Sequence, residues 1–400
     1  MRSTHRHALG VLALSVLLTA VGTASCVAEP RVPADDGEVL ERLPVSLLDP
    51  RMRQLAAMRA ALLQRPDDVA LATRLASLYV EAGRRGSDPR FYGYAQGALA
   101  PWWQAVDAPL PVLVLRATIR QHDHDFPGAL ADLAAALRAD PANAQAWLTQ
   151  AIVQQVRGDY AAARESCLAV LQLANPLVAV TCLSSVDSLH GAAAKSYDIL
   201  YRALEQHPAN NESERRWALT TLAEIAARRG DPERADAHYR AALSLEGRDD
   251  YLLGSYADFL LDQGRAGAVR ELLAGATRAD ALLLRLALAE SVLRAPEVAA
   301  DVQALRDRFA AARLRGDAVH RREEARFALD VLGDPHSALQ LARDNWQVQR
   351  EPWDARILLE SALASGDAAA AQPAVEFVSG AGLEDVTLTG LTKRVQDATR

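Results

Sequence analysis

The stretch "NAQAWLTQAIVQQVRGDYAAARESCLAVLQLANP" (residues 143–176) decides the fold. Apolar residues recur at three- and four-residue steps on both sides of "RGD", as in two amphipathic helices joined by a tight turn. The glycine ends the first helix at little cost, because it adopts the left-handed conformation freely. The aspartate that follows caps the next helix with its side chain. The stretch "ERRWALTTLAEIAARRGDPERADAHYRAALSLEG" (residues 214–247) repeats the plan and adds Pro232 at the first helical position, where no N–H is needed. The same "GDP" stands at 333–335.

Working outward, turn signals occur at Gly83, His124, Gly158, Gly191, Gly230, Gly264, Pro296, Gly333 and Gly366. Their mean spacing is about 35 residues, next to the period of about 34 expected for helix–turn–helix arrays. Small residues hold fixed offsets. Five after the turn come Ala129, Ala163, Ser196, Ala235, Ala338 and Ala371. Seven before it come Ala76, Ala117, Ala151, Ser184, Ala223 and Ala257. Small side chains at these places let the two helices of a unit approach closely. Bulkier residues recur eleven before (Trp147, Leu219, Leu253) and nine after (Leu133, Cys167, Leu200, Tyr239, Leu273).

On these residues the chain resembles the tetratricopeptide-repeat family, over roughly 66–380 and most clearly over 112–275. The resemblance implies an all-α solenoid of about nine helix-turn-helix repeats, stacked into a right-handed superhelix. It implies a concave groove lined mainly by first helices, which grips a segment of another protein. Positions facing inward in the family fall here on Gln145, Leu148, Ile152, Trp217, Glu224, Arg228, Tyr251 and Asp258. The alternative for these eight is an ordinary mixed surface. The lysine- and asparagine-lined clamp of some members has no counterpart at these positions. Residues 46–65 read as a helix packed on the array end, and 381–400 as a C-terminal tail.

The first residues, "MRSTHRHALGVLALSVLLTAVGTASCVAEP", have a basic head (Arg2, Arg6), an uncharged apolar core from Ala8 to Val21, and then small residues. This is the tripartite pattern of an export signal, expected over residues 1–28. "TASC" ending at Cys26 is similar to the lipobox of bacterial lipoproteins, with Thr23 where the family prefers leucine. The rival is ordinary cleavage after Ala28. Residues 29–45 read as a Pro-rich, acidic linker. The expected location is therefore the bacterial periplasm or envelope, with a lipid at Cys26 as the one route to the membrane.

Half of the chain is hydrophobic and 24% is charged, with a net charge of −7. That balance is globular and offers no overall basic field for nucleic acid. Among chemical motifs, "HDHD" (122–125) is the first candidate. His122 and His124 are two apart and cannot share a helix face, and His124-Asp125-Phe126 occupies the slot of Gly158-Asp159-Tyr160. The segment reads as a turn, with Asp125 capping and His124 in the glycine position. Cys167 and Cys182 lie on adjacent helices and either form a disulfide, as an oxidising compartment permits, or stay buried thiols. "HRREE" (320–324) reads as a solvated helix face. "PWW" (101–103) and "EPWD" (351–354) supply either a binding platform or packing between repeats. No catalytic residue, metal ligand set or cofactor motif is expected. The sequence points to a non-enzymatic scaffold for another protein, with an accessory subunit of an envelope enzyme or a glycan-associated binder as alternatives.

Overall fold

The computed structural model describes residues 49–86, 88–247, 249–316 and 320–400. The export signal, Cys26 and the linker lie outside the described residues. Among the described residues there is no strand.

Helix α1 (Pro50–Gln64) precedes nine hairpins. They are α2/α3 (Val69–Gly86, Arg90–Ala98), α4/α5 (Leu110–His122, Phe126–Ala139) and α6/α7 (Ala144–Val156, Tyr160–Val170). Next come α8/α9 (Pro176–Asp187, Ala193–Gln206), α10/α11 (Glu212–Arg228, Pro232–Leu243) and α12/α13 (Asp250–Asp262, Ala266–Leu272). The last are α14/α15 (Asp280–Leu293, Val298–Leu314), α16/α17 (Arg321–Arg326, Pro335–Trp346) and α18/α19 (Pro352–Ser365, Gln372–Ala381). Helix α20 (Val386–Ala398) ends the chain. The protein is an all-α solenoid.

The turn chemistry acts as its residue types dictate. Gly158, Gly191, Gly230, Gly264, Gly333 and Gly366 all have positive φ, and His124 takes the same left-handed conformation at φ 59°. Asp231 and Asp334 accept hydrogen bonds from the backbone N–H groups of Arg234 and Ser337, each ahead of a first-turn proline. All twelve small residues at the fixed offsets are buried. Two turns differ from the sequence reading. Gly83 lies within α2, where its missing Cβ makes room for the Tyr92 ring. In the seventh turn the left-handed residue is Arg294, not a residue at Pro296. Cys167 on α7 and Cys182 on α8 are disulfide-bonded, with Cα atoms 5.6 Å apart.

The last helices return to the middle of the array. One core cluster joins Tyr160, Cys182, Val186 and Leu189 to Trp346, Val375, Leu388, Leu391 and Val395. Residues 381–400 are thus a packed helix and not a tail, because Leu388, Leu391 and Val395 share one buried face. The contacts fall on the hairpin turns. The Arg350 N–H donates to the Val156 carbonyl at 2.7 Å, and the Ala193 N–H to Glu384 Oε1 at 3.2 Å. Phe377 lies so close to Gly158 that a Cβ there would meet its ring at 2.7 Å. Val386 lies over Gly230, and Gly382 over Gly191.

Gly158 and Gly264 have similar left-handed backbones, but only Gly158 is crowded by a distant residue. Each substitution by alanine carries the backbone cost of roughly 1–2 kcal/mol. Gly158→Ala is expected to lose a further 1–3 kcal/mol or so by displacing Phe377. Urea unfolding of the two variants in parallel checks this, and equal losses would contradict it.

Candidate functional site

First helices α10, α12, α14, α16 and α18, with the start of α20, surround a cavity of about 400 Å³. Its wall is organised by charge. Asp258 on α12 is buried and accepts from Arg285 Nη2 on α14 at 2.6 Å and from Arg326 Nη1 on α16 at 2.5 Å. Burial alone would raise the Asp258 pKa, but Arg285 and Arg326 outweigh it and hold the carboxyl below its usual range. Arg356 on α18 makes two 2.8 Å hydrogen bonds to the Asp262 carboxylate, 94 residues away. The Arg356 and Arg326 guanidinium groups lie 4.2 and 4.4 Å from the Trp353 ring centre, within cation–π range. Arg322 donates to Glu351 Oε2 at 2.8 Å. These links tie repeat six to repeats seven, eight and nine.

A hydroxyl network faces the same space. Tyr251 donates to Glu224 Oε1 at 2.7 Å, and Ser255 Oγ to the same oxygen at 3.0 Å. Tyr239 and Ser255 share a 2.7 Å hydrogen bond. Burial raises the Glu224 pKa, and Arg228 and the two hydroxyls offset part of that. The Tyr251 hydroxyl is pushed well up, first by the Glu224 charge and then by burial and Glu351. Arg228 donates through Nη2 to Ser188 Oγ at 2.9 Å.

The eight residues chosen for the groove separate into two groups. Glu224, Arg228, Tyr251 and Asp258 line the cavity. Trp217 and Leu148 are half-buried against Val170, Val178 and Ala179, where they fill space between repeats. Gln145 is exposed and donates to Thr149, and Ile152 is exposed further along α6. Neither lines the cavity. Arg322 was read within the solvated face "HRREE", Glu351 and Trp353 within "EPWD" as a platform or packing, and Arg356 was not singled out; all four line the cavity. "HRREE" is not a solvated face: Glu323 is buried and Arg322 is largely enclosed.

His122 stacks on Tyr92 with ring centres 3.4 Å apart, and His124 stacks on Phe126. Burial, reinforced by Arg322, lowers the His124 pKa to about 4. Among the described residues no three His, Cys, Asp or Glu side chains come together to hold a metal ion. Trp102 and Trp103 are half-buried on the first core cluster.

Geometry and turn chemistry together define an all-α solenoid of helix–turn–helix hairpins. No family model matches the sequence, and no curated protein matches it. Among solved structures the chain is similar to a tetratricopeptide repeat protein from Parabacteroides merdae, at 17% identity, 64% of this chain, 91% of that chain and a TM-score of 0.39. It is also similar to the APC/C hetero-tetramer Cut9–Hcn1 (13%, 82% and 64%, TM-score 0.45). A third is the human IFIT1 dimer with m7Gppp-AAAA (13%, 87% and 85%, TM-score 0.44). At these identities the likeness concerns the fold alone.

Two stability outcomes follow from the charges. Asp258→Asn leaves Arg285 and Arg326 buried without their carboxylate and is expected to cost about 3–5 kcal/mol in chemical denaturation. Burial would raise the Glu323 pKa, but Arg322, Arg285 and His320 pull it to about 2, from an ordinary 4.5. Between those values the unfolded chain binds a proton that the folded chain does not, so this part of the stability is lost as pH falls. Glu323→Gln is expected to flatten the acid side of a stability–pH curve in that window. A curve parallel to wild type would contradict the assignment.

Proposed function

We propose that this protein is a non-enzymatic scaffold that captures a segment of another protein in the cavity bounded by the first helices. One observation carries the reading. The Tyr251 ring, 66% exposed, stands in the cavity wall with its hydroxyl fixed by Glu224. An exposed, pre-positioned tyrosine beside half-buried charge is the composition of a protein-binding hot spot. The ion pairs around it hold the wall rigid before a partner arrives, which lowers the ordering cost of association. We further propose that the protein is exported and works at the bacterial envelope. The N-terminal pattern and the Cys167–Cys182 disulfide support that location.

The test is cross-linking in the envelope fraction with wild type and Tyr251→Ala. The variant is expected to lose about 2 kcal/mol of binding, roughly thirtyfold in affinity. Trp217→Ala is expected to lower stability instead, because that ring packs between repeats. Undiminished cross-linking by Tyr251→Ala would reject the cavity as the capture site. For anchoring, radioactive palmitate is expected to label wild type and not Cys26→Ala. An unlabelled wild-type chain would point to cleavage after Ala28.

A further inference from the structure

We infer that the cavity receives a basic side chain, arginine or lysine, carried on an extended segment of the partner, with the Glu224 carboxylate and the Tyr251 ring as its contacts. This rests on the scaffold reading and names the chemistry of its partner.

Charge complementarity is the main argument. The lining has seven carboxylates and four guanidinium groups. Three of those guanidinium groups are already held by the protein: Arg285 by Asp258, Arg356 by Asp262 and Arg322 by Glu351. The fourth, Arg228, donates to Ser188 and, one turn along α10 from Glu224, offsets part of that carboxylate's charge. The space therefore has an excess of negative charge, and an incoming cation relieves it. An acidic segment or a nucleic-acid backbone meets repulsion instead.

Geometry selects the contact. Both hydroxyl donors converge on Glu224 Oε1, which fixes the carboxylate in the cavity wall. Glu351, at the head of α18, lines the same cavity, so the tyrosine shares its wall with Glu224 and Glu351. An aromatic face beside carboxylates is a suitable seat for a guanidinium or ammonium group. Burial disfavours the charged form of Glu224, and a cation at this seat restores it.

Size limits the occupant. A cavity of about 400 Å³ is at the small end of ligand sites. It takes a long side chain with a little extended backbone, whereas a helix about 10–12 Å across does not enter.

The test pans a random dodecapeptide library on the purified protein, then resynthesises the best binder with its basic residue replaced by citrulline or norleucine. Selected peptides are expected to share an arginine or lysine. Its replacement is expected to weaken binding about tenfold. Glu224→Gln keeps a side chain that accepts from Tyr251 and Ser255, so its thermal melt is expected to match wild type. It is expected to weaken the parent peptide about tenfold and to make binding indifferent to the citrulline replacement. Acidic or uncharged consensus peptides, no enriched peptide, or indifference to Glu224→Gln would overturn the inference. If Tyr251→Ala abolishes partner cross-linking while no basic preference emerges, the scaffold reading stands and this inference falls. If basic peptides bind but Tyr251→Ala leaves partner cross-linking intact, the scaffold reading falls.

Discussion

Close approach of paired helices at small residues is the constraint on which the rest depends. Ala117 and Ala129 are buried on the two helices of one hairpin, and Ala151, Ala223 and Ala257 recur at the Ala117 offset in later ones, all buried. A side chain larger than alanine or serine at these points would push the helices apart and change the angle between successive hairpins. Each hairpin alone exposes an apolar face, so stability resides in the stacking of one unit on the next. A small change in angle repeated over nine units would separate the last helices from the turns they cover.

That return converts a linear array into a body with an enclosed inner space. The turn glycines then have two roles. Gly158 and Gly230 supply left-handed backbone, and their lack of a Cβ leaves room for Phe377 and Val386. Across the inner space, Asp258 and Asp262 fasten α12 to helices 68 and 94 residues further along. The buried Asp258 pairs give modest net stability compared with apolar packing, but breaking one leaves an uncompensated buried charge. Their position beside Glu224 and Tyr251 means that the links closing the array also shape its binding wall.

The fold was legible because its signals are local. A glycine, an aspartate cap and a proline within three residues at 230–232 define a helix boundary, and alanines at constant offsets define the packing. Misreadings arose where a local signal had a distant cause. Gly83 looks like a turn residue, yet it serves Tyr92 of the next helix. Leu388, Leu391 and Val395 have helical spacing, but nothing nearby indicates what covers them. The cavity was half legible. Glu224, Arg228, Tyr251 and Asp258 follow from their positions on first helices. Arg322, Glu351, Trp353 and Arg356 also sit on, or at the head of, first helices α16 and α18, but the closure that brings those helices against α12 leaves no periodic mark in the sequence. The same holds for Glu323, whose charged neighbours suggested solvent but which is buried beside Arg322 and under the influence of Arg285 on α14.

Closure is the central claim, and proximity of residues 190 and 384 tests it most directly. His190 and Glu384 are both exposed, beside the Gly191–Gly382 contact and the Ala193–Glu384 hydrogen bond. The measurement is cross-linking by a short bismaleimide of the His190→Cys, Glu384→Cys pair in a Cys26→Ser background, with each single variant as control. The closed array predicts rapid intramolecular cross-linking under native conditions, abolished by denaturant. A double variant that reacts no differently from the singles would contradict closure and, with it, the enclosed cavity.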